Sequence, residues 1–264
     1  MLKVVILTAF LSLFLYGYED LDVDGVDDSI DKCLNTSFDD EVGEDGCPYN
    51  HSYRGKLTLG FGKKVAFSKD DLQTNSFNFY ANYKYNNWSL SISSSSYDIF
   101  DNRYDNLNLW GDYYLIGGYT SKSSNNFTTQ YSLGMKIPND SSDISSQEFD
   151  YFAYINLNYR LNSNQNIYGN WGYTLTGDSS ENSYKNYHSL MMGTSYMMSD
   201  RWQVNFNYNY SGSTYEDRDG YHTISFGNYY QVSDTTFVKM RYDKGLDDNS
   251  YKNAFSLSIG RVFE

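Results

Sequence analysis

From about Tyr53 to Phe263 the chain repeats one pattern, in which apolar and polar side chains alternate residue by residue. The clearest stretch has Trp202, Val204, Phe206, Tyr208 and Tyr210 taking turns with Gln203, Asn205, Asn207, Asn209 and Ser211. A period of two belongs to a β-strand with unlike faces, and no helical period is present to supply a helix-packed core. Twelve such strands are predicted, at about 53–65, 75–85, from Trp88 onward, and at about 107–119, 127–137, 149–159, 167–176, 184–197, 202–211, 221–230, 236–242 and 251–263. Within the fourth, Leu107, Leu109, Tyr113 and Leu115 are placed on the apolar face. Longer polar connections near 67–74, 98–106, 138–148, 177–183, 212–220 and 243–250 alternate with shorter turns near 86–87, 120–126, 160–166, 198–201 and 231–235. One such strand would suit a soluble sandwich equally well. Repetition over two hundred residues favours an all-β fold, a transmembrane antiparallel up-and-down barrel of about 12 strands with its apolar parity toward lipid.

The last stretch shows what a closing strand needs. Phe255, Leu257, Ile259 and Phe263 share the apolar parity, and Ala254, Ser256, Ser258, Gly260 and Val262 stand between them. Arg261 interrupts the apolar set two residues from the strand end, where a basic residue meets the membrane interface at a cost of roughly 0–1 kcal/mol. This strand, with an aromatic residue almost at the carboxyl terminus, resembles the closing strand of bacterial outer-membrane β-barrels. The resemblance implies a Gram-negative outer-membrane location, lipid around the barrel, and a barrel-assembly machinery that reads the C-terminal strand. Glu264 departs from the pattern by following Phe263.

Composition agrees with a membrane barrel. Tyr numbers 29 and Phe 16, so aromatic residues reach 19%, while long apolar runs are missing after the first 17 residues and Pro numbers only 2. Lipid touches alternate residues of such a wall, so many amphipathic rings suffice. Polar and aromatic alternation also marks prion-like disorder, but here it is punctuated at regular spacing. A net charge of -13 excludes nucleic acid as an expected partner.

Ahead of the barrel, residues 1–17 carry Lys3 and a largely apolar run from Val4 to Leu15, which reads as a secretory signal peptide too short to span a bilayer. Residues 18–50 form a distinct acidic module. Oxygen ligands at loop positions 1, 3, 5, 7, 9 and 12, with Gly at 6, are the arrangement that wraps Ca²⁺. Those positions fall on Asp20, Asp22, Asp24, the carbonyl of Val26, Asp28 and Asp31, with Gly25 at the turn; a merely solvated acidic linker is the alternative. The stretch resembles a thrombospondin type-3 repeat, in which a cysteine follows the last carboxylate and a Gly-Cys-Pro closes the unit. Cys33 and Gly46-Cys47-Pro48 match that pattern, whereas Leu34 stands where a proline is usual. The resemblance implies a Cys33–Cys47 disulfide, a periplasmic calcium-stabilised unit and a periplasmic partner for it. With no apolar core of its own, the module would be held by metal and disulfide.

Residues 51–264 then make the barrel, and the opposite parity lines its lumen. That rule places Lys56, Lys84, Lys136, Arg160, Lys239 and Arg241 inside, with Asp112 and Asp150 as opposing acids. Rings of Lys or Arg favour anions in pores. The expected function is therefore a porin-like channel for small, anionic solutes. The same parity turns Tyr80, Trp110, Tyr114, Phe152, Tyr154 and Tyr168 inward, either as a sliding surface for solutes or as packing that plugs a narrow lumen. A non-conducting structural or adhesive barrel, binding a partner through its loops or its periplasmic module, is the alternative. An outer-membrane lipase is a remote one, because His188 and Ser189 are strand neighbours on opposite faces and His51 and His222 lack matching serines. No catalytic residues are expected.

Overall fold

The computed structural model describes residues 26, 30–33, 36, 42–47, 55–68, 72–100, 107–124, 126–139, 148–177 and 184–263. The chain divides into two compact units, an amino-terminal one of Met1–His51 with Asn162–Asn164 and a strand unit of Ser52–Leu161 with Gln165–Glu264.

The strand unit holds β1 (Lys56–Phe67), β2 (Gln73–Tyr85), β3 (Trp88–Phe100), β4 (Leu107–Trp110), β5 (Tyr113–Ser124), β6 (Phe127–Ile137), β7 (Asp150–Arg160), β8 (Gln165–Leu175), β9 (Tyr187–Ser199), β10 (Trp202–Ser211), β11 (Tyr221–Ser233), β12 (Thr236–Gly245) and β13 (Asn253–Phe263). Every pairing is antiparallel between sequence neighbours, except that β3 pairs with both β4 and β5, and β13 returns to β1. The seam runs from Leu57↔Phe263 to Phe67↔Asn253, so the sheet closes on itself and has no edge at that place. Short β4 and β5 together form one stave, which makes this a closed twelve-stave barrel.

That divided stave departs from the sequence expectation. Ser96 pairs with Trp110, yet Ser93 pairs with Tyr114, so one extra residue lies on the β4–β5 side. It is a β-bulge, and it flips the side-chain parity across Gly111-Asp112. Leu109 consequently pairs with Tyr97 of the inner parity, rather than facing outward with Leu115, and Leu107 stands in register with Ile99. Trp110 in turn is not a lumen residue. It lies on the outer face, with its ring 6.1 Å from that of Phe79.

Burial is inverted relative to a soluble protein. Among the described residues the four buried hydrophobic ones, Ala66, Phe152, Phe237 and Ala254, all belong to the inner parity. Large apolar side chains of the outer parity are open, with Leu133 72%, Phe61 65% and Trp88 63% exposed. A continuous apolar surface of this kind needs lipid against it. Aromatic rings also gather at both rims. Tyr85 and Trp88 flank the turn at Asn86-Asn87, where Asn86 has φ 49°, and Trp88 packs 4.8 Å from Tyr119. Near the long-loop rim Tyr242 packs 4.9 Å from Phe255, and Tyr173 lies 4.7 Å from His188.

The amino-terminal unit has a small hydrogen-bonded knot around a disulfide between Cys33 and Cys47. Lys32 N donates to Asp45 O at 2.9 Å, Gly43 N to Cys47 O at 3.0 Å, and the Thr36 hydroxyl to Gly46 O at 2.8 Å. Gly46 sits at φ +71°, a left-handed conformation that a side chain would strain. The proposed signal peptide and the expected ligands Asp20, Asp22, Asp24 and Asp28 lie outside the described residues.

Candidate functional site: the inner wall

Strand pleating presents every second side chain to the lumen, and the twelve staves thereby build a wall of Ser, Thr, Asn, Gln, Tyr and a few charges. Several of its aromatic rings do not project freely. On five adjacent strand pairs an inner ring faces a glycine, as in Gly60↔Tyr80, Gly134↔Phe152, Gly172↔Tyr154, Gly193↔Tyr168 and Gly260↔Phe237. A Cβ added at Gly60, Gly134, Gly172 or Gly260 would come within 2.2 to 2.4 Å of the facing ring. The rings therefore lie down over the bare backbone of the neighbouring strand, which covers the glycine and keeps ring bulk along the wall. Tyr229 extends this lining by stacking 5.3 Å from Phe237.

Charges are distributed in three groups. Lys56 opens β1 and pairs across the ladder with Lys84, and Arg160 ends β7, so these three stand toward the rim of the short turns. Lys136 is buried on the inner face and does not present an open cation. Its Nζ lies 2.9 Å from Asp150 and 3.7 Å from Asp112, and all three side chains are at most 14% exposed. The aspartates also accept backbone N–H bonds, Asp112 from Asn139 at 3.0 Å and Asp150 from Gly177 at 2.9 Å. This cluster fastens β6 and β7 to the chain that leaves β6 and β8.

A third group is formed by β1 and β12 on either side of β13. Lys64 pairs with Ser256, which pairs with Arg241; one step along, Lys239 pairs with Ser258. Arg241 Nε donates to Asp243 at 2.6 Å and its terminal nitrogen to the Ser225 hydroxyl at 2.7 Å. Lys239 lies 4.9 Å over the Phe237 ring, and Lys64 lies 4.7 Å over Tyr251. Among the described residues, three cations here face a single carboxylate. Lys64 and Asp243 were not among the residues singled out from the sequence, although the parity that selects Lys56 and Arg241 selects them too.

Uncharged amides line the middle of β6, β7 and β8. Asn170 Nδ2 donates to Asn156 Oδ1 at 2.6 Å, and Asn156 Nδ2 to Gln130 Oε1 at 3.3 Å. Beside this ladder lies a cavity of about 460 Å³ lined mostly by polar inner-face residues from β2 to β8.

The histidines do not assemble a hydrolase. His188 stacks 5.7 Å from Trp171 on the outer face, and Ser189 faces inward against Gly172. The His222 ring also belongs to the outer face, with its Nδ1 2.6 Å from the Tyr208 hydroxyl; His51 lies outside the described residues. In the amino-terminal unit, Asp31 is the one expected carboxylate ligand among the described residues. Its Oδ1 accepts from Cys33 N at 2.7 Å, while Oδ2 is buried with no hydrogen-bond partner. A buried carboxylate oxygen without a donor is suited to a cation.

No protein-family model matches the sequence, and no curated protein matches it. Solved structures do match the fold. An outer-membrane channel from Pseudomonas putida F1 aligns with a TM-score of 0.64 at 9% identity, over 81% of this chain and 97% of that one. The KdgM porin aligns with a TM-score of 0.58 at 8% identity, over 78% and 99%. The same porin in complex with disordered oligogalacturonate gives a TM-score of 0.56 at 9% identity, over 78% and 99%. The strand unit has the closed-barrel fold of bacterial outer-membrane channels.

Proposed function

We propose that this protein is a porin-like channel of a Gram-negative outer membrane that passes small hydrophilic solutes and prefers anions. The observation that carries the preference is the grouping of Lys64, Lys239 and Arg241 against Asp243 on the inner faces of β1 and β12. A low-dielectric wall focuses the field of such a group into the lumen, and anions are enriched there. The buried Lys136 contributes no net positive charge, since two aspartates flank it. Oligomeric anions suit the same wall, and a porin of similar fold has been solved with oligogalacturonate.

Both chain ends of the barrel lie at the rim of the short turns, which in barrels of this kind faces the periplasm. The amino-terminal module would then be periplasmic, where the Cys33–Cys47 bridge persists. Asp31, with the Asp20, Asp22, Asp24, Val26 and Asp28 positions, would hold Ca²⁺ there and stiffen the unit. Calorimetric titration of the full-length protein with Ca²⁺ tests this part: binding is expected, and its weakening in Asp31→Asn; no heat on addition of Ca²⁺ overturns it. The terminal strand ending in Phe263 would be the element offered to the barrel-assembly machinery.

Planar-bilayer recording under a potassium chloride gradient tests the channel. The reversal potential is expected to show anion preference, and Lys64→Gln with Lys239→Gln is expected to reduce it. An unchanged preference in that double variant sinks the anion assignment, and absence of conductance sinks the channel.

A further inference from the structure

The stretch of inner wall around the amide ladder has a different chemistry from the basic group. The cavity of about 460 Å³ is lined by Asn82, Ser89, Ser91, Ile116, Gln130, Ser132, Tyr154, Asn156 and Asn170, with no ionisable carboxylate or amine among them. Gln130, Asn156 and Asn170 occupy directly paired positions on three neighbouring strands about 4.8 Å apart, so their amides stand in a row. Each amide carries two donor hydrogens and two acceptor lone pairs. Asn156 spends one donor on Gln130 and one lone pair on Asn170, and keeps one of each for the lumen. The ladder also fixes the orientation of the groups that remain. Directly beside it, Tyr154 lies over Gly172, where a Cβ would stand 2.4 Å from the ring, so an aromatic surface is laid against the wall next to the amides.

We propose that this ladder and the Tyr154 ring form a binding subsite for neutral polyhydroxylated solutes, that is, saccharides. Hydroxyl groups both donate and accept, as the free positions of the amides do, and the hydrogen-rich face of a sugar ring packs on an aromatic surface. An anion would find no cation in this lining, and an apolar solute would leave the amides unpaired, which is unfavourable. The volume lies within the range of small-molecule sites. The subsite rests on the channel reading for its role in passage, although binding itself does not require an open pore.

Single-channel current in the presence of maltotriose is the test, combined with calorimetric titration of the detergent-solubilised full chain by the same sugar. Maltotriose is expected to interrupt the current in a concentration-dependent way. In Asn156→Ser with Asn170→Ser the residence time should fall about tenfold, as expected for two lost hydrogen bonds. Lys64→Gln, which alters the basic group instead, should leave the interruptions as they are. A conducting barrel that shows neither interruption nor heat with maltotriose overturns the subsite and leaves the channel standing. A barrel that does not conduct but binds maltotriose, and loses binding in the serine variant, supports the subsite while the channel falls.

Discussion

Removing the charge of Lys136 should expose how much the buried ion cluster holds. Lys136→Met keeps the length of the side chain and deletes the ammonium group that stands 2.9 Å from Asp150 and 3.7 Å from Asp112. Exposed ion pairs contribute about 0–1 kcal/mol, whereas removing one partner of a buried pair costs about 3–5 kcal/mol, because an uncompensated charge is left inside. Side-chain exposures of 7% for Lys136, 9% for Asp112 and 14% for Asp150 put this cluster in the second class. Both aspartates keep a backbone donor, from Asn139 and Gly177, which softens the loss toward the lower end, about 3 kcal/mol. Urea unfolding in detergent micelles, followed by the folded-to-unfolded gel shift, measures it. Adding Asp150→Asn to Lys136→Met should recover part of the loss, since the two changes are coupled. A loss under about 1 kcal/mol, or full additivity, would show that water reaches the cluster and that it does not fasten β6 to β7.

Other expectations concern the wall, a loop and the amino-terminal unit. Gly260→Ala places a Cβ 2.3 Å from the Phe237 ring, so the ring must swing into the lumen; unit conductance should fall and stability drop by about 1–3 kcal/mol. Unchanged conductance would mean that the ring does not lie against the wall. Asp247, in the connection between β12 and β13, has a lowered pKa. Burial alone would raise it, but donors from the Ser250 hydroxyl and the backbone N–H groups of His222, Ser250 and Asn249 outweigh that effect. A carboxylate held below its ordinary value of 3.8 stabilises the folded loop above that pH, and the contribution is lost as pH falls through the depressed folded value. Amide exchange at Asn249 and Ser250, corrected for its intrinsic pH dependence, should therefore speed up only below about pH 4, and equal protection down to pH 2 would count against the capping role. Reduction of the Cys33–Cys47 bridge, which spans 14 residues, removes about 3 kcal/mol of loop constraint. Exchange at Lys32, Gly43 and Gly46 should then rise about 100-fold, without change in the barrel strands.

Much of the barrel was legible because a two-sided strand between oil and water has only one economical pattern. β6 runs over Phe127–Ile137 as the alternation indicated, and β10 carries its Trp202 to Tyr210 parity outward throughout. The bulge was hidden because Leu107, Leu109, Tyr113 and Leu115 all share odd numbering, which hides the break between them. Its local sign is the pair Gly111-Asp112 inside a strand pattern, and Gly111 N donates to Ser95 O at 2.7 Å where the register shifts. Charge neutralisation was less accessible still. Parity puts Lys136 and Asp150 on the inner face, but the connection between β6 and β7 leaves their register open, so only the folded ladder brings them opposite one another. The same holds for the amide row, since Gln130, Asn156 and Asn170 come together through two separate registers.

The central physical statement is that each strand has one face in lipid and one in water. Among the described residues no cysteine is free, so single cysteines introduced along β10 can be spin-labelled without interference from a native thiol there. In protein reconstituted into vesicles, labels at Val204, Phe206 and Tyr208 should relax with lipid-soluble oxygen, and labels at Asn205, Asn207 and Asn209 with a water-soluble nickel chelate. Strict alternation of the two along these consecutive positions is the predicted result. Six labels that all respond to the nickel chelate, or none that responds to oxygen in the bilayer, would contradict it.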